Sequence, residues 1–169
     1  MLGVDYVQQS VKLIKEVVAA IGNHEMDDLI QEEQNSEYEG VRFNLLKQTY
    51  RSRLAKSTPK KQGYFVVFWE KDNMDKNQPF TYLSSPDRVI VTVMDNEKIG
   101  QFIFPKTVLH KQGILSSEIS KGKMAIRVYP SWISNLNPSA AKTQKWQVEY
   151  FVDLSHKMDL DKLTYLYNF

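Results

Sequence analysis

The chain has 169 residues, of which 42% are hydrophobic, which is enough for one ordinary domain with a sizeable core. It contains no cysteine, which excludes disulfides, zinc–thiolate sites and thiol catalysis. The longest apolar run, Tyr64 to Trp69, is far too short to span a bilayer, and the first residues lack the apolar stretch of a signal peptide. We therefore expect residues 1–169 to form a single domain of a cytoplasmic protein without membrane attachment.

The formal net charge of +2 hides segments of very unequal charge. Residues 1–41 hold two lysines against nine acids, whereas residues 42–71 hold eight Lys and Arg against Glu70. Residues 99–132 add five Lys and Arg against Glu118. Cations pooled in this way repel one another, and an anionic partner relieves the repulsion. The alternative is that the acidic N-terminal segment folds over the basic face and neutralises it.

The first part of the chain predicts a helix, an irregular acidic segment and a strand. Apolar residues recur every three or four positions up to Gly22–Asn23, a spacing typical of an amphipathic helix. The acidic stretch 25–39 is interpreted as a weak helix followed by a loop, with mostly solvated carboxylates. Apolar and polar residues alternate over 41–45, which indicates a strand that Tyr50 to Ala55 extends after a bend. The apolar face of the helix comprises Val4, Val7, Val11, Ile14, Val17 and Val18.

The rest of the chain predicts strands followed by helices. The run 64–69 is apolar on both alternating faces, as expected of a central strand covered on both sides. The runs 88–94 and 99–104 form a hairpin around a polar turn, and 123–129 is the next strand. Ser139 is expected to cap a helix that includes Trp146, and residues 159–167 form a last short helix. This order predicts an α/β fold with a mixed central sheet flanked by helices.

The strongest local signal is the basic segment 51–61, which leads into a strand. Arginine binds phosphate through two parallel hydrogen bonds, lysine supplies a mobile charge, and the Thr58 hydroxyl can donate to the same oxygens. The alternative is a solvated lysine turn that protects a sheet edge. The cations of this segment are Arg51, Arg53, Lys56, Lys60 and Lys61.

The strand 123–129 predicts a second contact surface. Because side chains alternate along a strand, Lys123, Arg127 and Tyr129 share one face. An arginine and a tyrosine two residues apart can bind a phosphate and stack a base beside it. The alternative is that Arg127 pairs with a carboxylate on a helix.

Two further residues are candidates for the same surface. Lys106 follows the end of a strand, where α/β sheets often present their ligands. Trp132 lies beside a proline in a loop, so it is the tryptophan best placed for a contact surface. Trp69 and Trp146 are expected in the core, as most tryptophans are.

The sequence contains only an incomplete nuclease-like acidic motif. Pro86–Asp87 followed by residues 95–98 resembles it superficially, but the residue two before Lys98 is the neutral Asn96. The three histidines lack the spacing of metal ligands. We therefore expect no catalytic residue, no metal site and no obligate small-molecule cofactor. The open alternative is a divergent metal-dependent nuclease that uses Glu37, Glu39 or Asp87.

Five sequence blocks point to a family. They are EYEG at 37–40, AKSTPKKQGYFV at 55–66, GQFIFPK at 100–106, RVYPSW at 127–132 and TQKWQ at 143–147. In this order they resemble the MepB-like family of bacterial proteins, over about residues 36–151. The resemblance implies a fold similar to the PD-(D/E)XK nuclease core without its catalytic acids, and it implies nucleic-acid binding. It also implies a multidrug-resistance context, because the family takes its name from an operon that includes a multidrug exporter.

Together, these patterns predict a non-catalytic nucleic-acid-binding protein. Aromatic stacking favours single-stranded RNA or DNA over duplex, and no recognition helix is visible, so we expect little sequence specificity. A further alternative is a small-molecule sensor whose aromatic residues line a pocket. The expected nucleic-acid contacts are Arg51, Arg53, Lys56, Thr58, Lys60, Lys61, Lys106, Lys123, Arg127, Tyr129 and Trp132.

Overall fold

The computed structural model describes residues 8–22 and 24–169, and its first element is the predicted amphipathic helix, α1 (Gln9–Ile21). Four apolar residues of the pattern are buried on one face of α1, and Val4 and Val7 lie outside the described residues. The acidic segment 25–39, which follows α1, differs from the prediction. Instead of a weak helix and a loop, it forms strand β1 (Asp27–Gln31) and a 3-10 helix (Glu33–Tyr38).

Among the described residues, ten further strands and three further α-helices follow. The strands are β2 (Val41–Leu45), β3 (Gln48–Leu54), β4 (Lys56–Ser57), β5 (Tyr64–Val67), β6 (Trp69–Lys71), β7 (Asn77–Pro79), β8 (Arg88–Asp95), β9 (Lys98–Pro105), β10 (Ala125–Val128) and β11 (Phe151–Asp153). The helices are α2 (Lys106–Lys111), α3 (Pro138–Gln147) and α4 (Leu160–Tyr167), and a 3-10 turn (Val148–Tyr150) precedes β11.

The N-terminus of α3 differs from the prediction by two residues. Asn137 rather than Ser139 is its cap, because the Asn137 side-chain oxygen accepts a hydrogen bond from the backbone N–H of Ala140 at 2.8 Å. Asp159 caps α4 in the same way, accepting from the N–H of Lys162 at 3.1 Å. Within the described part of the chain, no helix is both long and apolar enough to cross a membrane.

Six strands form the main sheet in the order β1-β2-β3-β8-β9-β11. Strands β3 and β8 run parallel, with Ser52 opposite Ile90. The pairs β1–β2, β2–β3, β8–β9 and β9–β11 are antiparallel, and β8 and β9 form the predicted hairpin. The expected mixed central sheet with flanking helices is therefore confirmed.

Each face of the main sheet carries its own core, because side chains alternate along every strand. On one face, Tyr50 and Ile103 pack against apolar residues of α1 and α4. On the other face, Val91 and Phe102 pack under a second sheet of three strands, in the order β10-β5-β4, and against Leu109 of α2.

The first four residues of the apolar run 64–69 form β5 of this second sheet, not a strand of the main one, and Trp69 begins β6, which pairs with β7. Tyr64 and Val66 of β5 are buried, whereas Phe65 and Val67 are only half-buried. The prediction of a central strand covered on both sides is therefore wrong. One face of β5 packs on the core, and the other faces outward.

Candidate nucleic-acid interface

The outer face of the three-stranded sheet forms one side of a groove of about 640 Å³, which we call the basic groove. Its floor is apolar, with Phe65 from β5 and Ala125 from β10. The loop between β4 and β5 carries the exposed lysines Lys60 and Lys61 to its wall. The lining residues are Thr58, Pro59, Lys60, Lys61, Phe65, Ala125, Ile126 and Arg127.

Arg127 fixes the loop that carries the two lysines. Its Nη1 donates to the backbone oxygen of Gln62 at 3.0 Å, and its Nη2 donates to the Thr58 hydroxyl. The loop ends at Gly63, whose φ of +81° favours glycine, and a Cβ there would lie 2.6 Å from Cε1 of Tyr129. Arg127 forms no ion pair with any residue that the structure describes, so the predicted alternative of a pair with a helix carboxylate is wrong. Arg127 therefore positions the loop as well as lining the groove.

Lys56 and two aromatic residues lie close together on the same outer face. Lys56 pairs with Phe65 across β4 and β5, and its Nζ lies 4.9 Å from the ring centroid of Tyr38. The Tyr38 and Phe65 rings meet edge to face, with centroids 6.2 Å apart. Burial, helped by the charge of Glu37, raises the pKa of the Tyr38 hydroxyl, so it stays protonated at neutral pH.

Phe65 and Tyr38 were missed by the sequence analysis. Phe65 carried a detectable signal, because a hairpin around 58–63 places it opposite the exposed Lys56. Tyr38 lies in the block EYEG at 37–40, but no local pattern placed it beside Phe65, which it reaches through the folding of the 3-10 helix onto β5.

A second groove, of about 350 Å³, adjoins the basic groove along the edge strand β10. The two grooves share Ala125, Ile126 and Arg127, and the second also includes Lys123 and Tyr129. Gln147 of α3 holds this edge: its Oε1 accepts from the Tyr129 N–H at 2.8 Å, and its Nε2 donates to the Arg127 carbonyl at 2.9 Å. Lys123, Arg127 and Tyr129, predicted on one face of the strand, therefore line one groove.

Arg51 and Arg53 do not belong to this surface, because both are buried, with 2% and 0% of their surface exposed. Nη1 and Nη2 of Arg53 each lie 3.1 Å from an oxygen of the Glu32 carboxylate. Nε of Arg51 lies 3.1 Å from Glu32 Oε1, and its Nη2 lies 3.5 Å from a Glu70 oxygen. The prediction that these two arginines contact nucleic acid is therefore wrong. Arg51 and Arg53 are instead neutralised by Glu32 of the acidic N-terminal segment, as the alternative prediction stated.

The Glu32 carboxylate stays charged in this cluster. Burial by itself raises the pKa of Glu32, but the hydrogen bond from Arg53 and the charges of Arg53 and Arg51 outweigh burial and lower it. The guanidinium of Arg51 also lies over the Phe80 ring, 3.9 Å from the ring centroid. The cluster thus joins β3 to the acidic segment and to β6.

Lys106 and Trp132 line neither the basic groove nor the second groove. The Nζ of Lys106, at the start of α2, lies 4.7 Å from the ring centroid of Tyr82. Trp132 is half-buried, with its ring 5.5 Å from that of Phe151, and its Nε1 donates to the Tyr64 hydroxyl at 3.3 Å. The structure therefore does not bring these two predicted contacts together with Lys60 and Lys61. Trp146, expected in the core, packs on Phe104 at 5.5 Å.

Three carboxylates were named for the nuclease alternative: two of them accept hydrogen bonds from other residues, and the third is exposed. Asp87 accepts hydrogen bonds from the N–H and the hydroxyl of Thr49, at 2.9 and 3.2 Å. The buried Glu39 accepts from the N–H and the hydroxyl of Ser10, at 2.9 and 2.6 Å, and Glu37 is exposed. Across residues 8–22 and 24–169, no three His, Asp or Glu side chains are grouped to hold a metal ion.

Comparison with known proteins identifies relatives of this chain. A family model described as MepB-like matches residues 32–153. A solved structure described as the crystal structure of MepB is 42% identical to this chain, with a TM-score of 0.78. The match covers 89% of this chain and 100% of that chain. A search of curated proteins finds no match.

Proposed function

This chain belongs to the MepB-like family, and we propose that it binds single-stranded nucleic acid in the basic groove without catalysing a reaction. The observation that carries the proposal is the groove itself, in which exposed lysines border an apolar floor with a half-buried aromatic ring. None of the cations on or beside the groove forms an ion pair with a described residue. These cations are Lys56, Lys60, Lys61, Lys123 and Arg127.

The groove offers separate partners for the phosphates and the bases of a strand. Lys60 and Lys61 neutralise phosphates, and counterions released from the strand favour binding. The Thr58 hydroxyl accepts a hydrogen bond from Arg127, so its own proton is free to donate to a phosphate oxygen. Phe65 presents a ring for base stacking, which contributes about 1–3 kcal/mol per base.

This arrangement favours single strands over duplexes. Stacking on Phe65 needs a base whose face is free, and in a duplex the faces are covered by neighbouring base pairs. Lysine contacts with phosphate carry no sequence information, so we expect little sequence specificity. The same proposal includes three further points. The chain acts in the cytoplasm, it belongs to a multidrug-resistance context, and its fold is related to the PD-(D/E)XK nuclease core.

The test is a fluorescence-anisotropy titration of labelled single-stranded RNA, single-stranded DNA and duplex DNA without metal, at several salt concentrations. With three to five contacted phosphates, the logarithm of the affinity for single strands should fall with the logarithm of salt at a slope of about −2 to −3.5. Both single strands should bind more tightly than the duplex. Absence of binding at low salt would exclude the basic groove as a nucleic-acid site.

A second assay tests the proposed absence of catalysis. The full chain is incubated with labelled single strands and Mg²⁺ or Mn²⁺, and strand length is followed over time. We expect the strands to stay intact. Cleavage that disappears in Asp87→Asn would contradict the proposal and support the metal-dependent nuclease alternative.

A further inference from the structure

Leu83 and Ile119 are the most exposed of the large hydrophobic side chains that the structure describes, at 93% and 86%, and both line one groove. This groove, of about 600 Å³, is separate from the basic groove, and we call it the Tyr82 groove. Exposed apolar side chains that gather at a concave site are typical of interaction surfaces. The lining residues are Thr81, Tyr82, Leu83, His110, Ser116, Ser117, Glu118 and Ile119.

The two turns that carry Leu83 and Ile119 are held by hydrogen bonds. In the first turn, the Thr81 hydroxyl accepts from the Ser84 N–H at 3.1 Å. In the second, the Ser117 hydroxyl accepts from the Ile119 N–H at 3.2 Å. The Tyr82 N–H donates to the Ser116 carbonyl at 2.9 Å and so joins the two turns. The aliphatic side chains are thus presented on fixed backbone, which lowers the entropic cost of binding.

The floor of the Tyr82 groove is aromatic and its surroundings are basic. The rings of Tyr82 and His110 lie 4.5 Å apart, and Lys106 lies over Tyr82. The segment 106–121 carries Lys106, Lys111 and Lys121 against Glu118, and none of these lysines forms an ion pair with a described residue. An occupant that complements this groove is acidic and carries an aliphatic side chain.

Strand β1 has these properties. It is an edge strand of the main sheet, and all five of its residues are exposed. Ile30 is 61% exposed and Leu29 is 40% exposed. Two acids of the strand, Asp27 and Asp28, and Glu25 just before it supply negative charge. The exposed Arg42, opposite Ile30 on β2, offsets one of these three acids, so the surface around β1 is net negative whereas the segment 106–121 is net positive.

We propose that the Tyr82 groove binds strand β1 of a second copy of this chain. Ile30 of one copy lies between Leu83 and Ile119 of the other, over Tyr82, and the acids around β1 face the lysines of the segment 106–121. The contact is heterologous, because two different surfaces of the same chain meet. A short strand buries a small area, so we expect weak, salt-sensitive association. The inference stands independently of nucleic-acid binding.

The test is sedimentation-velocity ultracentrifugation of the full chain from about 1 to about 200 µM, at low and high salt. The wild type should associate as its concentration rises, and salt should weaken the association. Leu83→Asp and Ile30→Asp should each reduce association strongly. Met74→Asp is the matched control, because Met74 is 77% exposed and lines neither groove.

Mixing the two variants distinguishes this contact from others. The Ile30→Asp chain retains an intact Tyr82 groove and the Leu83→Asp chain retains an intact β1, so an equimolar mixture should recover one contact and form pairs. A wild type that is monomeric over the whole range would overturn the proposal. It would equally be overturned if Leu83→Asp abolished association while Ile30→Asp left it unchanged, or if the mixture formed no pairs, because a surface other than β1 would then occupy the groove.

Discussion

Arg53 and Glu32 form a buried bidentate ion pair, in which two guanidinium nitrogens each lie 3.1 Å from a different carboxylate oxygen. The residues are 21 positions apart, and the pair ties β3 to the acidic segment after β1. Gly40 makes room for it, because a Cβ there would lie 2.9 Å from Arg53 Nη1. The pair removes the charge of Arg53 from the surface. The exposed cations of the basic segment 51–61 are therefore Lys56, Lys60 and Lys61.

Removing the Glu32 carboxylate, which Arg51 and Arg53 share, should destabilise the fold. Glu32→Gln leaves Arg51 and Arg53 buried with only the weaker contact to Glu70, and breaking a buried ion pair in this way costs about 3–5 kcal/mol. The free energy of unfolding from urea denaturation measures the loss. Glu37→Gln is the control, because Glu37 is exposed and should change stability by less than about 0.5 kcal/mol. Equal urea midpoints for Glu32→Gln and wild type would show that the cluster does not stabilise the fold.

The same carboxylate predicts a loss of stability in acid. The pKa of Glu32 in the folded chain is raised by burial but lowered further by Arg53 and Arg51, to below its ordinary value of 4.5. Such a group stabilises the fold above its unfolded pKa, and the stabilisation is lost as the pH falls through the folded pKa. The difference in unfolding free energy between wild type and Glu32→Gln should be constant from about pH 7 to about pH 5 and shrink below about pH 4.5. Urea midpoints across this range test it, and a difference that grew in acid would contradict the assignment.

Lys60 and Lys61 should contribute to nucleic-acid affinity through charge. In the Lys60→Ala, Lys61→Ala double variant, two phosphate contacts are lost, so the salt slope for single strands should become shallower by about 1.4. The weakening should be similar for different sequences. The matched control is Lys15→Ala, Lys157→Ala, which removes the same charge at exposed positions outside both grooves. If both double variants lost the same affinity, net charge rather than the basic groove would govern binding.

Arg127 should act through the loop that it holds. A lysine keeps the charge but cannot reproduce the two parallel donors to Gln62 and Thr58. In Arg127→Lys, amide hydrogen exchange at Thr58 and at residues 60–62 should speed up, and single-strand affinity should fall although the net charge is unchanged. Arg42→Lys, at an exposed arginine, is the control. Unchanged exchange and affinity in Arg127→Lys would exclude the positioning role.

Local sequence patterns were sufficient to predict those elements whose contacts are between residues close together in the chain. The β8–β9 hairpin needs only two β-rich runs and a polar turn, and the faces of β10 follow from alternation alone. The recurrence of apolar residues every three or four positions likewise predicted α1. In the candidate site, the same local reasoning found Lys60, Lys61 and Arg127, because an exposed turn and a strand face are properties of short segments.

Tertiary structure decided the burial of those side chains whose partners lie far away in the sequence. Arg51 and Arg53 resemble surface cations in sequence, but both are buried against the carboxylate of Glu32, and Arg51 also contacts Glu70, since a buried charge needs a nearby counter-charge. The run 64–69 is apolar on both faces, and the packing of only one face of β5 on the core leaves Phe65 half-buried on the outer face. The sequence alone therefore determined the secondary structure of the β8–β9 hairpin, of α1, α3 and α4, and of the basic loop. Which cations and aromatic rings remain at the surface was decided by long-range packing, because burial is a property of the assembled fold.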